Sequence, residues 1–300
     1  MDGSTLASWN DGAAKDAIVE FLVESGAEGS PSYIPEADRI AAFDNDGTLW
    51  CEQPAPVQTG LLLGKLIEQV RSDPSLAMEE PYKAIVNQDP AFLGALARQE
   101  PDAVLAFLKG VGKAWEGATP EEYEAEVRAF LAASRHDRFG RPFPELVYQP
   151  MLELFDFLRA HGWRLFICSG GGRDFMRVFS EETFGIRREH VIGSAPEWAY
   201  EDGRLIRRNE LHGNLALGPG KPEHIYARTG RMALFAAGNG DVDLEMLEVA
   251  RFPLVIVHDD AEREYATTAA AERLLEAADA GDWVTVSMKD DWKTVFTKRE

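Results

Sequence analysis

Short apolar runs that end abruptly at glycines or aspartates constrain this chain more than any other feature. They are residues 39–43, 164–168, 232–237 and 253–257. Apolar residues at helical spacing lie between them, at about 148–161, 173–183, 221–229 and 241–250. A further amphipathic stretch over 11–25 carries Ala14, Ile18, Phe21 and Leu22 on one face and stops at Gly26. Strands alternating with helices predict parallel βαβ units, hence an α/β fold with a doubly wound parallel sheet. In such sheets ligands bind outside the carboxyl ends of the strands, where this chain places its polar clusters.

Between 52 and 146 the pattern changes to helical spacing alone, with Leu61 to Val70, Ala91 to Leu108 and Glu121 to Ala133 as the main stretches. The reading is an α/β core formed by 1–51 and 147–300, with a helical domain over 52–146 inserted after the first strand. Trp198 to Arg208 reads as a β-hairpin on the Asp202-Gly203 turn. After 260, a helix over Ala261 to Ala280, including the Ala-rich Thr267 to Ala271, and an edge strand at Trp283 to Val286 are expected to complete the core.

The formal net charge of −20 and a pI near 4.7 repel nucleic acid and anionic membrane, so neither is expected as a partner. An anionic ligand would need a local positive site. No apolar run approaches the roughly 20 residues of a membrane helix, and the start of the chain shows no secretory signal. The two cysteines, Cys51 and Cys168, cannot form a disulfide framework and suit a reducing cytosol. A cytoplasmic location is the expectation.

Four loops carry chemistry. Asp44 and Asp46 in Asp44-Asn45-Asp46-Gly47-Thr48 stand two apart at a strand end, where their like charges resist joint ionisation and a hard divalent cation such as Mg2+ would relieve them. Ser169-Gly170-Gly171-Gly172-Arg173 offers a hydroxyl and exposed backbone N–H groups where a helix opens, which suits an anion. Lys221, fixed between Gly220 and Pro222 at a helix start, would reach inward to offset phosphate charge. Asn239, Asp241 and Asp243 sit in a glycine-bracketed loop whose oxygens suit the same cation; Asp241 equally suits an N-cap. The histidines show no metal-site spacing.

Together and in this order, these loops resemble the haloacid dehalogenase-like hydrolase superfamily, most closely its phosphoserine phosphatase-like branch with a helical cap. The resemblance implies a Rossmann-like core, an Mg2+-dependent phosphomonoesterase and an aspartyl-phosphate intermediate. It assigns Asp44 as nucleophile, Asp46 as general acid/base, and Ser169, Gly170 and Lys221 as the phosphate site. Asp44, Asp46, Asn239 and Asp243 would hold the metal. Glu52 and Arg173 are candidates for substrate contact, and the substrate would be a small phosphorylated metabolite. The branch usually has Asp where this chain has Asn239, which brings an amide oxygen without charge. A phosphotransferase sharing the same carboxylates, and a non-catalytic phosphate- or metal-binding relative, are the competing readings.

Overall fold

The computed structural model describes residues 6–98 and 100–297. Six parallel strands form the central sheet, and two more form an antiparallel hairpin. In chain order they are β1 (Ile40–Phe43), β2 (Arg164–Gly172), β3 (Val191–Ser194), β4 (Pro196–Glu201), β5 (Arg204–Leu211), β6 (Phe235–Gly238), β7 (Phe252–Val257) and β8 (Val284–Ser287). The sheet runs β3-β2-β1-β6-β7-β8, so β1 lies inside it, with Ala41 opposite Leu165 on one side and Phe235 on the other.

β1, β6 and β7 are apolar runs because both faces of the sheet are covered. Alternate residues of β1 enter different cores. Ala41 and Phe43 meet Ile18 and Leu22 of helix Ala13–Gly26 and Leu154 and Phe155 of helix Gln149–Ala160. Ile40 and Ala42 join Ile225, Leu247 and Leu274 from the helices Gly220–Thr229, Leu244–Glu248 and Glu272–Ala280. The Phe43 ring packs edge-on against Phe155 at 4.7 Å, which fixes the strand immediately before Asp44.

Helices Val57–Ser72, Tyr82–Val86, Pro90–Ala97, Pro101–Gly112 and Pro120–Ala133 follow β1 before the chain returns to the sheet. The helix expected over 91–108 is two helices, because Pro101 disfavours helical backbone in the residue before it. Thr119 and Glu122 form a capping box at the start of the last of them. The hairpin packs on these helices. Gly117 N–H donates to Arg207 O and Arg207 N–H to Ala118 O, both at 2.9 Å. The Arg207 guanidinium covers the rings of Tyr123 at 4.7 Å and Trp115 at 5.6 Å. At the hairpin tip Asp202 and Gly203 have φ of 47° and 83°, the positive values that a tight two-residue turn requires.

Several boundaries differ from expectation. The 173–183 segment is two short helices, Arg173–Met176 and Ser180–Phe184. The helix read over 241–250 begins as a 3-10 turn, Asp241–Asp243, before Leu244–Glu248. Among the described residues, only Glu272–Ala280 is helical after β7. The Ala-rich stretch before it is diverted into loop pairing, since Ala270 O accepts from Asp241 N–H at 2.6 Å and Thr267 N–H donates to His258 O at 3.0 Å. β3 had no counterpart in the sequence reading. β8 is the expected edge strand, paired parallel to β7.

Candidate active site

β1 ends at Phe43, and the next residue is held to the sheet by Asp44 N–H donating to Ala237 O at 2.9 Å. Asp44 is therefore placed at the carboxyl edge, where it is buried. Lys221, with no exposed surface, donates from Nζ to Asp44 Oδ1 at 2.6 Å and to Cys168 O at 3.0 Å, and also pairs with Asp243 Oδ1. Burial opposes the lysine charge, but Asp243 and Asp44 outweigh it and hold the ammonium above its ordinary pKa. Burial pushes the Asp44 carboxyl up to about 8, against the pull of Lys221. Burial raises Asp46 as well, and the Trp50 indole N–H donates to its Oδ1 at 2.8 Å.

Gly47 turns the loop with φ 76°, and a Cβ there would lie 2.3 Å from Asn239 Nδ2. The loop after β6 is thus pressed directly against the loop after β1. The Thr48 hydroxyl donates to Asn239 Oδ1 at 2.9 Å, and Asn239 Nδ2 faces Glu52 Oε1 at 3.4 Å. Burial lifts Glu52 to about 7, opposed by the charge of His258. Asp243 is committed elsewhere: its Oδ1 meets Lys221, and its Oδ2 accepts the N–H groups of Asn239 and Gly240, each at 3.0 Å.

β2 does not stop at Cys168 but stays extended through Gly172, with a register shift between Ser169 and Gly172 against β3. The expected helix opening is a helix of only four residues, so its dipole adds little. Donors come from the extended segment itself. Ser169 Oγ accepts from Gly171 N–H at 3.3 Å, while Gly172 N–H is taken by Gln58 Oε1 at 2.7 Å. Ser194 fixes the segment from β3 through a hydroxyl bond to Gly170 O at 2.9 Å.

A cavity of about 560 Å3 opens above this edge, lined by Asp44, Asp46, Ser169, Gly170 and Gly171, by the inserted helices and by Arg207, Arg208 and Asn209 of the hairpin. Of the two candidate substrate residues, Glu52 turns toward Asn239 and Arg173 toward Asp174, and neither lines the cavity. Asp174 does line it, held by Arg173, Arg177 and the Trp198 indole. Gln58 and the hairpin arginines were missed in the sequence. A lone glutamine gave no signal there, whereas Arg207-Arg208 following an Asp-Gly turn was a visible one.

Asp44, Asp46 and the Asn239 amide stand where the loops after β1 and β6 meet, with Glu52 beside Asn239 and Lys221 as the neighbouring lysine, and their donors are all hard oxygens. That charge excess and donor chemistry fit a magnesium ion. Among the described residues no three His, Cys, Asp or Glu side chains converge as a metal site by themselves, so the amide of Asn239 is part of the candidate set.

A parallel sheet that delivers a carboxylate pair, a buried lysine and a serine hydroxyl to one edge defines an α/β enzyme handling an anionic group. The model of the haloacid dehalogenase-like hydrolase family matches residues 41–248, and the chain belongs to that family. No curated protein matches it in sequence. Solved structures with the same fold include a protein of unknown function from Bordetella pertussis Tohama I, 19% identical, covering 83% of this chain and 98% of the other with a TM-score of 0.54. A functionally unknown protein from Anaerococcus prevotii DSM 20548 is 16% identical, covering 95% of each chain, with a TM-score of 0.58. Among the described residues no helix is long and apolar enough to cross a membrane.

Proposed function

We propose that the chain is an Mg2+-dependent phosphomonoesterase of the phosphoserine phosphatase-like branch, working through an aspartyl-phosphate on Asp44. The observation that carries this reading is the fully buried Lys221, which is bonded to Asp44 at 2.6 Å and paired with Asp243. A cation there serves to neutralise a nucleophile that must approach a phosphate dianion.

Asp44 attacks phosphorus in line, forming the new P–O bond while the ester P–O bond breaks. Asp46, whose raised pKa suits a proton donor, protonates the departing alkoxide. It then takes a proton from the water that hydrolyses the acyl phosphate and returns Asp44. The Trp50 indole holds Asp46 in place, and Ser169 and Lys221 bind the transferring oxygens. Asp44, Asp46 and Asn239 would hold the magnesium ion, with Asp243 bracing the loop, and the ion when bound supplies Lewis-acid charge neutralisation.

The helices over 52–146, together with the hairpin, act as the cap over this edge, and the two free buried cysteines suit a cytoplasmic setting. Asp44→Asn tests the assignment. Phosphate release from p-nitrophenyl phosphate with Mg2+ should fall by at least about 10³-fold with the fold retained. Turnover near the wild-type rate would remove Asp44 from its role.

A further inference from the structure

The cavity above the carboxylates is unlike its floor. Helix Pro101–Gly112 turns Val104, Leu105, Leu108 and Val111 into it, and Leu62 and Leu63 of helix Val57–Ser72 face it as well. Positions 104, 108 and 111 follow helical spacing, so one continuous apolar stripe forms the wall.

Several polar groups in the same cavity are already engaged within the protein, whereas the side chains of Lys109 and Glu210 and the buried Arg207 Nε are not. Asp174 is held by Arg173, Arg177 and Trp198, and Arg208 pairs with Glu201. The Asn209 amide donates to Lys109 O at 3.2 Å, and Gln58 accepts from Gly172 N–H. Arg207 is spread over the rings of Tyr123 and Trp115. A zwitterionic substrate body would compete with the partners of Asp174, Arg208, Asn209 and Gln58, and Glu52, a candidate for substrate contact, lies outside the cavity.

We infer that the substrate is the phosphate monoester of an apolar alcohol, its phosphate at Asp44 and Ser169 and its alkyl, isoprenyl or aryl body against the stripe on helix Pro101–Gly112. This rests on the phosphomonoesterase reading and deepens it. The cavity volume of about 560 Å3 lies within the usual range for organic ligands, and it is continuous with the reactive edge, so one molecule spans both. Burying the body supplies binding at about fourfold per methylene.

The test pairs turnover with binding, below micellar concentrations and with Mg2+. Phosphate release is measured for ethyl, butyl, octyl and geranyl phosphates and for phosphoserine. Calorimetry measures the binding of ethyl-, butyl- and octylphosphonate, which cannot be hydrolysed. The expected kcat/KM for octyl phosphate exceeds that for ethyl phosphate by at least about 100-fold, chiefly through KM, and phosphonate Kd falls in step with chain length. Leu108→Asn, with its fold checked by circular dichroism, should lower the octyl-to-ethyl ratio by about tenfold. If phosphonates bind with the expected chain-length dependence but no ester is hydrolysed, the apolar site stands and the phosphatase reading fails. If phosphate is released with a flat chain-length profile or a preference for phosphoserine, the phosphatase reading stands and this inference is overturned. Phosphonate affinity independent of chain length overturns it as well.

Discussion

Glu264 is fully buried beneath the Asp44 loop, and its carboxylate gathers four donors. Oε1 accepts from the Cys51 thiol at 3.0 Å and the Tyr148 hydroxyl at 3.2 Å. Oε2 accepts from His258 Nδ1 at 3.1 Å and Tyr265 N–H at 2.6 Å. The other ring nitrogen, His258 Nε2, faces Gly47 O at 2.7 Å, so both nitrogens meet acceptors and the ring carries both protons. Burial works against the His258 charge, but Glu264 outweighs it and holds the imidazole above its ordinary 6.5. Burial likewise opposes the Glu264 charge, yet His258 and the other donors hold it below 4.5. An imidazolium–carboxylate pair thus holds the turn that carries Asp44 and Asp46.

Glu264→Gln keeps the shape and loses the charge. One amide end must point its NH2 at two donors, and the imidazolium loses its counter-ion. Breaking one partner of a buried pair costs about 3–5 kcal/mol, or roughly 6–20 °C in melting temperature for a chain of this size. The raised His258 contributes stability that is complete below about pH 6.5 and is lost as pH rises through its folded value. The lowered Glu264 contributes stability present above about pH 4.5 and lost as pH falls through its folded value. Thermal melts from pH 5 to 9 should therefore show wild-type stability declining on the alkaline side of about 6.5, and a flatter profile in the variant. A variant melting within about 2 °C of wild type, with the same pH profile, would refute the pairing.

Three further outcomes follow from the same geometry. Lys221→Met leaves the Asp44 and Asp243 carboxylates without their cation, so Mg2+-free urea denaturation should show a loss of about 3–5 kcal/mol, and phosphate release should drop at least about 100-fold. Gly47→Ala forces a side chain to within 2.3 Å of Asn239 Nδ2 at positive φ, and should lower stability by about 1–3 kcal/mol in the same assay while slowing turnover. Asn239→Asp puts a carboxylate where Glu52 lies 3.4 Å away, so the metal-free protein should melt lower and Mg2+ should raise its melting temperature more than that of the wild type; equal magnesium shifts would count against the assigned metal loop.

β1, β2, β6 and β7 were legible because parallel strands covered on both faces leave unbroken apolar runs, and the site was legible because each loop directly follows one of them. β3 was not, since Val191-Ile192-Gly193-Ser194 is too short to stand out from its surroundings. The wall of the cavity was hidden for another reason. Leu62, Leu108 and Arg207 come from distant stretches that meet only when the hairpin packs on the inserted helices. At helical spacing the leucines read equally well as core. Asp243 reads as a metal ligand in the sequence because an acid in a glycine-bracketed loop suits that role, while its bonds to Lys221 and two amides come from placement in the fold that no local pattern carries. The Glu264–His258 pair joins residues six apart, but its partners Cys51 and Tyr148 lie more than a hundred positions away, beyond any local pattern.

The covalent role of Asp44 is tested most directly by trapping. Enzyme turning over octyl phosphate with Mg2+ is acid-quenched, reduced with borohydride and digested, and the peptides are read by mass spectrometry. An acyl phosphate on Asp44 predicts homoserine in place of aspartate at position 44, in the wild type and not in Asp44→Asn. Reduction at Asp46 instead, or steady phosphate release with every aspartate intact, would contradict the assignment.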